Sequence, residues 1–322
     1  MKNLLLLFLC VNLQLLIAQD LKFNEDGRFK IVQFTDIHYT LGNEASNYSI
    51  EMMKNTLDNE KPDLVVLTGD IVTSKYPKSA WDNVLEVMIS RNIPYMVTLG
   101  NHDDEGDWKR KQIADYLVRK RLIVNKNATI DGVDGVLNAA ISIRSAKSKD
   151  AAILYIMDSH AYSTLPQVKG YGWFNTSQVN WFKQESQKFK ELSKDTLPAL
   201  AFFHIALPEY SLAFNDMKNK RIGVRYENEC APAINTGMFA AMLESGDVMG
   251  TFVGHDHVND YLVNYYGIGL AYGCFSGSAN TYQREQNGAR IIVLKEGERR
   301  FETYLRERDG SIIYKTSFPF GK

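Results

Sequence analysis

Residues 251–260 read TFVGHDHVND: an apolar run, a glycine, then two histidines separated by a single residue. The whole chain has only six histidines, so two of them at one strand end pose a chemical question. Residues 248–253 form a short run of β-branched and aromatic side chains bounded by turn residues, the composition of a buried strand. Gly254 removes a side chain where the backbone must come close to something. His255 and His257, two apart on an extended or turning segment, can present their rings in the same general direction.

The same grammar recurs along the chain. KIVQF is followed by Thr35-Asp36-Ile37-His38, and LVVLT by Gly69-Asp70. YMVTL is followed by Gly100-Asn101-His102-Asp103, LAFF by His204, and AILYIM by Asp158-Ser159-His160. All six histidines fall at such strand ends. Strands are predicted over 29–34, 64–67, 95–99, 152–157, 199–203 and 248–253. Helical periodicity lies between them over 50–59, 80–91, 108–121, 177–192 and 236–244. Near-continuous apolar strands alternating with helices imply sheets covered on both faces, an α/β layered sandwich. Residues 290–294, 301–305 and 312–314 read as antiparallel strands, with Asp309-Gly310 as a hairpin turn.

In α/β sheets, sites form at the carboxyl ends of strands. A lone histidine is more often a solvated or packed side chain than a ligand. Here, however, imidazoles stand beside carboxylates and an asparagine in one structural position, the donor set of divalent first-row metals. A single catalytic zinc needs about three protein ligands. Asp36, His38, Asp70, Asn101, His204, His255 and His257 offer seven donors. That number suits two ions sharing a carboxylate, about 3.5–4 Å apart, clamping a phosphate ester.

Asp-x-His, Gly-Asp, Gly-Asn-His-Asp, a lone His and Gly-His-x-His, in this order over residues 36–257, resemble the calcineurin-like metallophosphoesterases. FFHIALPEY (202–210) and the stretch from Gly254 to Tyr261 are similar to the single-domain purple-acid-phosphatase-like branch. The resemblance implies two mixed β-sheets layered face to face and flanked by helices. It also implies two divalent transition-metal ions (Zn, Mn or Fe). Asp36, His38 and His257 would bind one, Asn101, His204 and His255 the other, with Asp70 bridging. His102 would act on the substrate as a catalytic group, with Asp103 orienting its ring. The branch's purple members carry a tyrosine three residues beyond the Gly-Asp aspartate; Thr73 stands there in this chain and Tyr76 is out of register, so no tyrosinate colour is expected.

The implied activity is hydrolysis of small phosphate monoesters by attack of a metal-bound hydroxide. A phosphodiesterase or nucleotidase would share the same ligands. A non-catalytic metal-stabilised binding protein would have no use for His102 and Asp103. His160 and Arg225 are candidate substrate contacts. The long connection 208–232 is a candidate lid, while Trp108 and Trp173 read as packing residues.

Bulk properties agree with an enzyme of small substrates. Of the 322 residues, 45% are hydrophobic and the formal charge is −1, which gives no basic face for nucleic acid. Met1-Lys2-Asn3, an apolar run and Ala18 read as a signal peptide over 1–19, too short and interrupted to span a membrane. The remaining 20–322 read as a single domain, secreted or periplasmic. Leu7-Phe8-Leu9 before Cys10 do not fit a lipid-anchored form. Cys230 and Cys274 permit one disulfide without requiring it. Asn47-Tyr48-Ser49, Asn127-Ala128-Thr129 and Asn175-Thr176-Ser177 fit the glycosylation pattern.

Overall fold

The computed structural model describes residues 20–278 and 287–321; the predicted leader lies outside them. The chain runs through β1 (Leu21–Lys22), β2 (Arg28–Phe34), α1 (Glu44–Glu60), β3 (Leu64–Thr68), α2 (Pro77–Ile89), β4 (Tyr95–Thr98) and α3 (Arg110–Leu117). It continues with β5 (Ala139–Arg144), β6 (Asp150–Ile156), α4 (Thr176–Ser193), β7 (Ala199–Phe202), α5 (Glu209–Asn215), β8 (Arg221–Ile222) and α6 (Met238–Ser245). The last strands are β9 (Val248–Val253), β10 (Leu262–Tyr265), β11 (Ile268–Tyr272), β12 (Gly288–Lys295), β13 (Phe301–Glu307) and β14 (Ile312–Phe318).

Two mixed sheets result, as the sequence implied. One has the order β14-β13-β12-β2-β3-β4, the other β1-β5-β6-β7-β9-β11-β10-β8. Within the first, β2, β3 and β4 are parallel and joined by crossover helices. Within the second, β6, β7, β9 and β11 are parallel. The period of two along each strand divides its side chains between two cores. Leu64 and Val66 of β3, Leu200 and Phe202 of β7, and Phe252 of β9 meet between the sheets. Val65 and Leu67 face the layer of α1, α2 and α3, while Ala199 and Ala201 face α4, α5 and α6. Each sheet is therefore largely apolar on both faces, which is why these strands read as near-continuous hydrophobic runs.

Local signals place the helices. Asn43 caps α1 by accepting from the Ala45 N–H at 2.9 Å. Asn175 precedes α4, and the Gln178 side chain reaches back to its N–H at 2.9 Å. The helix expected over 108–121 is shorter, because the chain turns through Leu122 at φ 69° to bring Ile123 against Tyr95. The connection 208–232, a candidate lid in the sequence, folds into α5 and β8, and β8 pairs with β10 at the sheet end. Among the described residues no helix is long and apolar enough to cross a membrane.

This layering fixes where chemistry can occur. Parallel strands of both sheets end on the same side, and the segments after β2, β3, β4, β7 and β9 converge there.

Candidate metal centre

Four of the converging residues hold left-handed backbone: Asp36 (φ 54°), His38 (φ 48°), Asp70 (φ 52°) and His255 (φ 77°). Such conformations cost on the order of 1–3 kcal/mol each for a residue with a side chain, and persist where the surroundings enforce them. They turn the side chains back over the strand ends instead of alternating outward. Glycines supply the clearance. A Cβ on Gly254 would lie 2.5 Å from the Asp36 carboxylate, and one on Gly100 would strike the Asp70 carboxylate and the Asp70 N–H.

Two ligand groups emerge, and they share a residue. Asp36, His38, Asp70 and His257 each place a ligand atom within 4.8 Å of the others, and all four are buried. Asp70, His204 and His255 form the second group by the same measure. His257 Nε2 lies 3.2 Å from Asp36 Oδ1, and His38 Nε2 faces His257 Nε2 at 3.2 Å. His204 Nε2 lies 3.2 Å from both Asp70 Oδ2 and Asn101 Oδ1. Asn101 thus joins the second group through its oxygen, while its Nδ2 donates to the Tyr162 hydroxyl at 3.1 Å.

The electrostatics of this cage call for cations. The Thr68 carbonyl accepts from His204 Nδ1 at 2.8 Å, which fixes the tautomer. His204 Nε2 then points at two oxygen acceptors and must carry either a second proton or a metal. Burial works against the protonated ring, but the Asp70 carboxylate raises it to about 9. Burial holds His38 down to about 4 and His255 down to about 3, leaving both as neutral donors. His255 Nε2 is buried with no hydrogen-bond partner. Burial would raise the Asp36 carboxyl, yet His257 brings it down to about 2, so it is a carboxylate.

His102 stands over the first group, its ring centroid 5.4 Å from that of His38. Its backbone N–H donates to Asp70 Oδ1 at 2.7 Å. Burial lowers the ring's hold on a proton, while Asp70 and then Glu105 raise it above the ordinary value.

The expected pairing of Asp103 with that ring is corrected. Both Asp103 oxygens are occupied by backbone: Oδ2 accepts from Asp70 N (2.9 Å) and Gly100 N (2.7 Å), and Oδ1 from Ile71 N and Val72 N (both 2.9 Å). Asp103 clamps the two ligand loops together. Glu105 takes the ring instead, its Oε2 2.7 Å from His102 Nδ1.

The remaining candidates are engaged with other partners. His160 Nε2 is bonded to Gln178 Oε1 at 2.7 Å, beside a cavity of about 220 Å³ that Arg110, Tyr162 and Trp173 also line. The terminal nitrogens of Arg225 bond within its own loop, to Asn215, Asn228 and Glu229. That arrangement withdraws Arg225 as a phosphate contact. The Thr73 hydroxyl lies 3.2 Å from that of Thr40, and Tyr76 is exposed. Cys230 is exposed and Cys274 buried, and both remain thiols. The Cys230 thiol lies close to His255 and Asp256.

Several contributing residues carried no signal in the motif pattern. Tyr171 packs edge-on against His255, centroids 4.3 Å apart, and stacks on Tyr162. Phe275 stacks on His257 at 4.6 Å. Arg110 bolts the Asn101 loop to the end of β6, donating to the Leu99 and Gly100 carbonyls and to Asp158.

The family model described as calcineurin-like phosphoesterase matches residues 29–259. The chain is 33% identical over 313 residues to a protein of Arabidopsis thaliana named "Probable inactive purple acid phosphatase 29", covering 87% of this chain and 80% of that one. It is 35% identical over 272 residues to "Phosphatase DCR2" of Saccharomyces cerevisiae, covering 76% of this chain and 46% of that protein. Among solved structures, a dimetal phosphatase from Danio rerio shares the fold, with a TM-score of 0.61 at 13% identity over 91% of this chain and 99% of that one.

Proposed function

The chain belongs to the calcineurin-like phosphoesterase family, and from that premise we propose that it hydrolyses small phosphate monoesters at a centre for two divalent transition ions. The observation that carries this reading is the sharing of Asp70 between two ligand groups, the first wholly buried and the second buried except for the partly buried His255. The donor set fits such ions: a buried imidazole nitrogen on His255 without a partner, a His204 nitrogen aimed at two oxygens, and glycines where a Cβ would fill the cage. Asp36, His38, Asp70 and His257 would hold one ion, and Asp70, Asn101, His204 and His255 the other. The chemistry such ions supply when bound is activation of a water and neutralisation of phosphoryl charge.

The chain's own groups do the rest. His102, presented at the mouth by its N–H bond to Asp70, gives a proton to the departing oxygen. The Tyr162–Tyr171 pair walls the side of the second ligand group. Residues 20–322 act as one domain in this reading, because both sheets contribute ligands. The leader-like run over 1–19 supports export.

The Arabidopsis relative is named inactive, whereas the yeast relative is named a phosphatase. Activity in this chain is supported by its full set of seven donors together with His102. The test is hydrolysis of p-nitrophenyl phosphate against bis-p-nitrophenyl phosphate by metal-loaded protein. Faster monoester turnover is expected, and preference for the diester would replace this reading with a phosphodiesterase. Replacing His102 with Ala is expected to lower turnover of an alkyl phosphate, whose leaving oxygen needs a proton, by about 10²–10⁴-fold with metal content intact. Unchanged turnover would remove the role given to that ring.

A further inference from the structure

We propose that Glu105 and Tyr162 are positioning residues that set the His102 ring and the Asn101 amide as one unit, an assignment that rests on the hydrolase reading above. Four groups form a continuous chain of hydrogen bonds. Asn101 Nδ2 donates to the Tyr162 hydroxyl at 3.1 Å. That hydroxyl donates to Glu105 Oε1 at 2.9 Å, and the other carboxylate oxygen, Oε2, stands 2.7 Å from His102 Nδ1. One carboxylate is thereby held at both oxygens, by a tyrosine from the loop after β6 and by the histidine from the loop after β4.

Each link has a chemical consequence. A carboxylate can only accept, so Nδ1 of His102 carries a proton toward Glu105 in either state of the ring, and Nε2 is the nitrogen whose second proton is given up and regained on the substrate side. The Tyr162 oxygen accepts from Asn101, so the amide NH₂ points outward and Oδ1 points at His204 and the second ligand group. A flipped Asn101 would present a donor where an acceptor is needed. The pair is not there to stabilise the fold: the Glu105 side chain is 49% exposed and that of His102 36%, and exposed ion pairs contribute little to folding. A carboxylate at the mouth of a phosphate site also repels the substrate, so its benefit must come through the ring it holds. In the reaction, the P–O bond to the leaving group breaks with its electron pair on that oxygen. The oxygen takes the Nε2 proton of His102, and the attacking water supplies the proton that restores the ring. Throughout, Glu105 keeps the Nδ1 proton and the ring orientation.

The experiment uses full-length, zinc-loaded protein with ¹⁵N-labelled histidine, comparing wild type, Glu105→Ala, Glu105→Gln, Tyr162→Phe, His102→Ala and the Glu105→Gln/His102→Ala double variant. In the wild-type ring spectrum His102 is expected to be protonated at Nδ1, and Glu105→Ala is expected to lose that pattern without a change in Tm or zinc content. Glu105→Gln is expected to slow hydrolysis of an alkyl phosphate, whose leaving group needs a proton, by about 10–100-fold. The same change should slow p-nitrophenyl phosphate by no more than about threefold, since that leaving group needs little protonation. Tyr162→Phe should show the same substrate bias, more weakly. Added to His102→Ala, Glu105→Gln should cost nothing further, because it acts through that ring. An unchanged His102 spectrum in Glu105→Ala, equal losses on both esters, or additive losses in the double variant would overturn the assignment. If the wild type turns over neither ester, the hydrolase reading fails, and the ring spectrum alone decides whether Glu105 sets the tautomer.

Discussion

Asp70→Asn is expected to cut bound metal to at most one equivalent and turnover by about 10³-fold or more. Asp70 is the residue common to both ligand groups, buried at the centre of the cage. Asparagine keeps its shape and the acceptor for the His102 N–H, but it removes the negative charge and one of two ligand oxygens. Ions in such sites provide several kcal/mol of transition-state stabilisation, and each ~1.4 kcal/mol is a factor of ten in rate. The change should leave the fold in place, because the loop around Asp70 is held by Asp103. Elemental analysis and turnover of the same preparation check this. Two retained equivalents with near wild-type turnover would show that Asp70 does not bridge.

The second large effect falls on stability. Asp103→Asn is expected to destabilise the protein by roughly 2–5 kcal/mol, because two of four buried backbone N–H groups would face an amide donor in place of an oxygen. The denaturation midpoint should fall and metal retention should weaken with it, since the clamp joins the Asp70 and Asn101 loops. A group acting only on the His102 ring would behave differently: stability unchanged, turnover alone reduced. Denaturant titration of the variant separates the two.

The ligands were legible in the sequence because they follow strands buried on both faces. The run over residues 248–253 is interrupted only by Gly250 and Thr251, and β9 spans those same residues. The layered α/β class follows from that run and its counterparts at β2, β3, β4, β6 and β7. Strands β1 and β8, of two residues each, have no period to detect. Strands β10 and β11 pair around a tight turn after the ligand loop, and no long apolar run announces them.

At the site, proximity in sequence misled where direction in space decides. Asp103 is next to His102, but its carboxylate points inward at backbone N–H groups, and the ring turns outward to Glu105. The partner of Asn101 lies 61 residues away at Tyr162, a contact made by the meeting of two sheets that no local pattern encodes. Arg225 carried the right charge for a phosphate but is occupied by Glu229 and Asn228. A charge on a loop says nothing of what the loop itself requires.

A pair of cations sharing the Asp70 carboxylate is what hydrolysis here would require. Elemental analysis of purified native protein, paired with turnover before and after chelation, tests this most directly. Two equivalents of transition ion per chain, with hydrolysis abolished by chelator and restored by added metal, is the predicted result. One equivalent or less, with hydrolysis indifferent to the chelator, would contradict it.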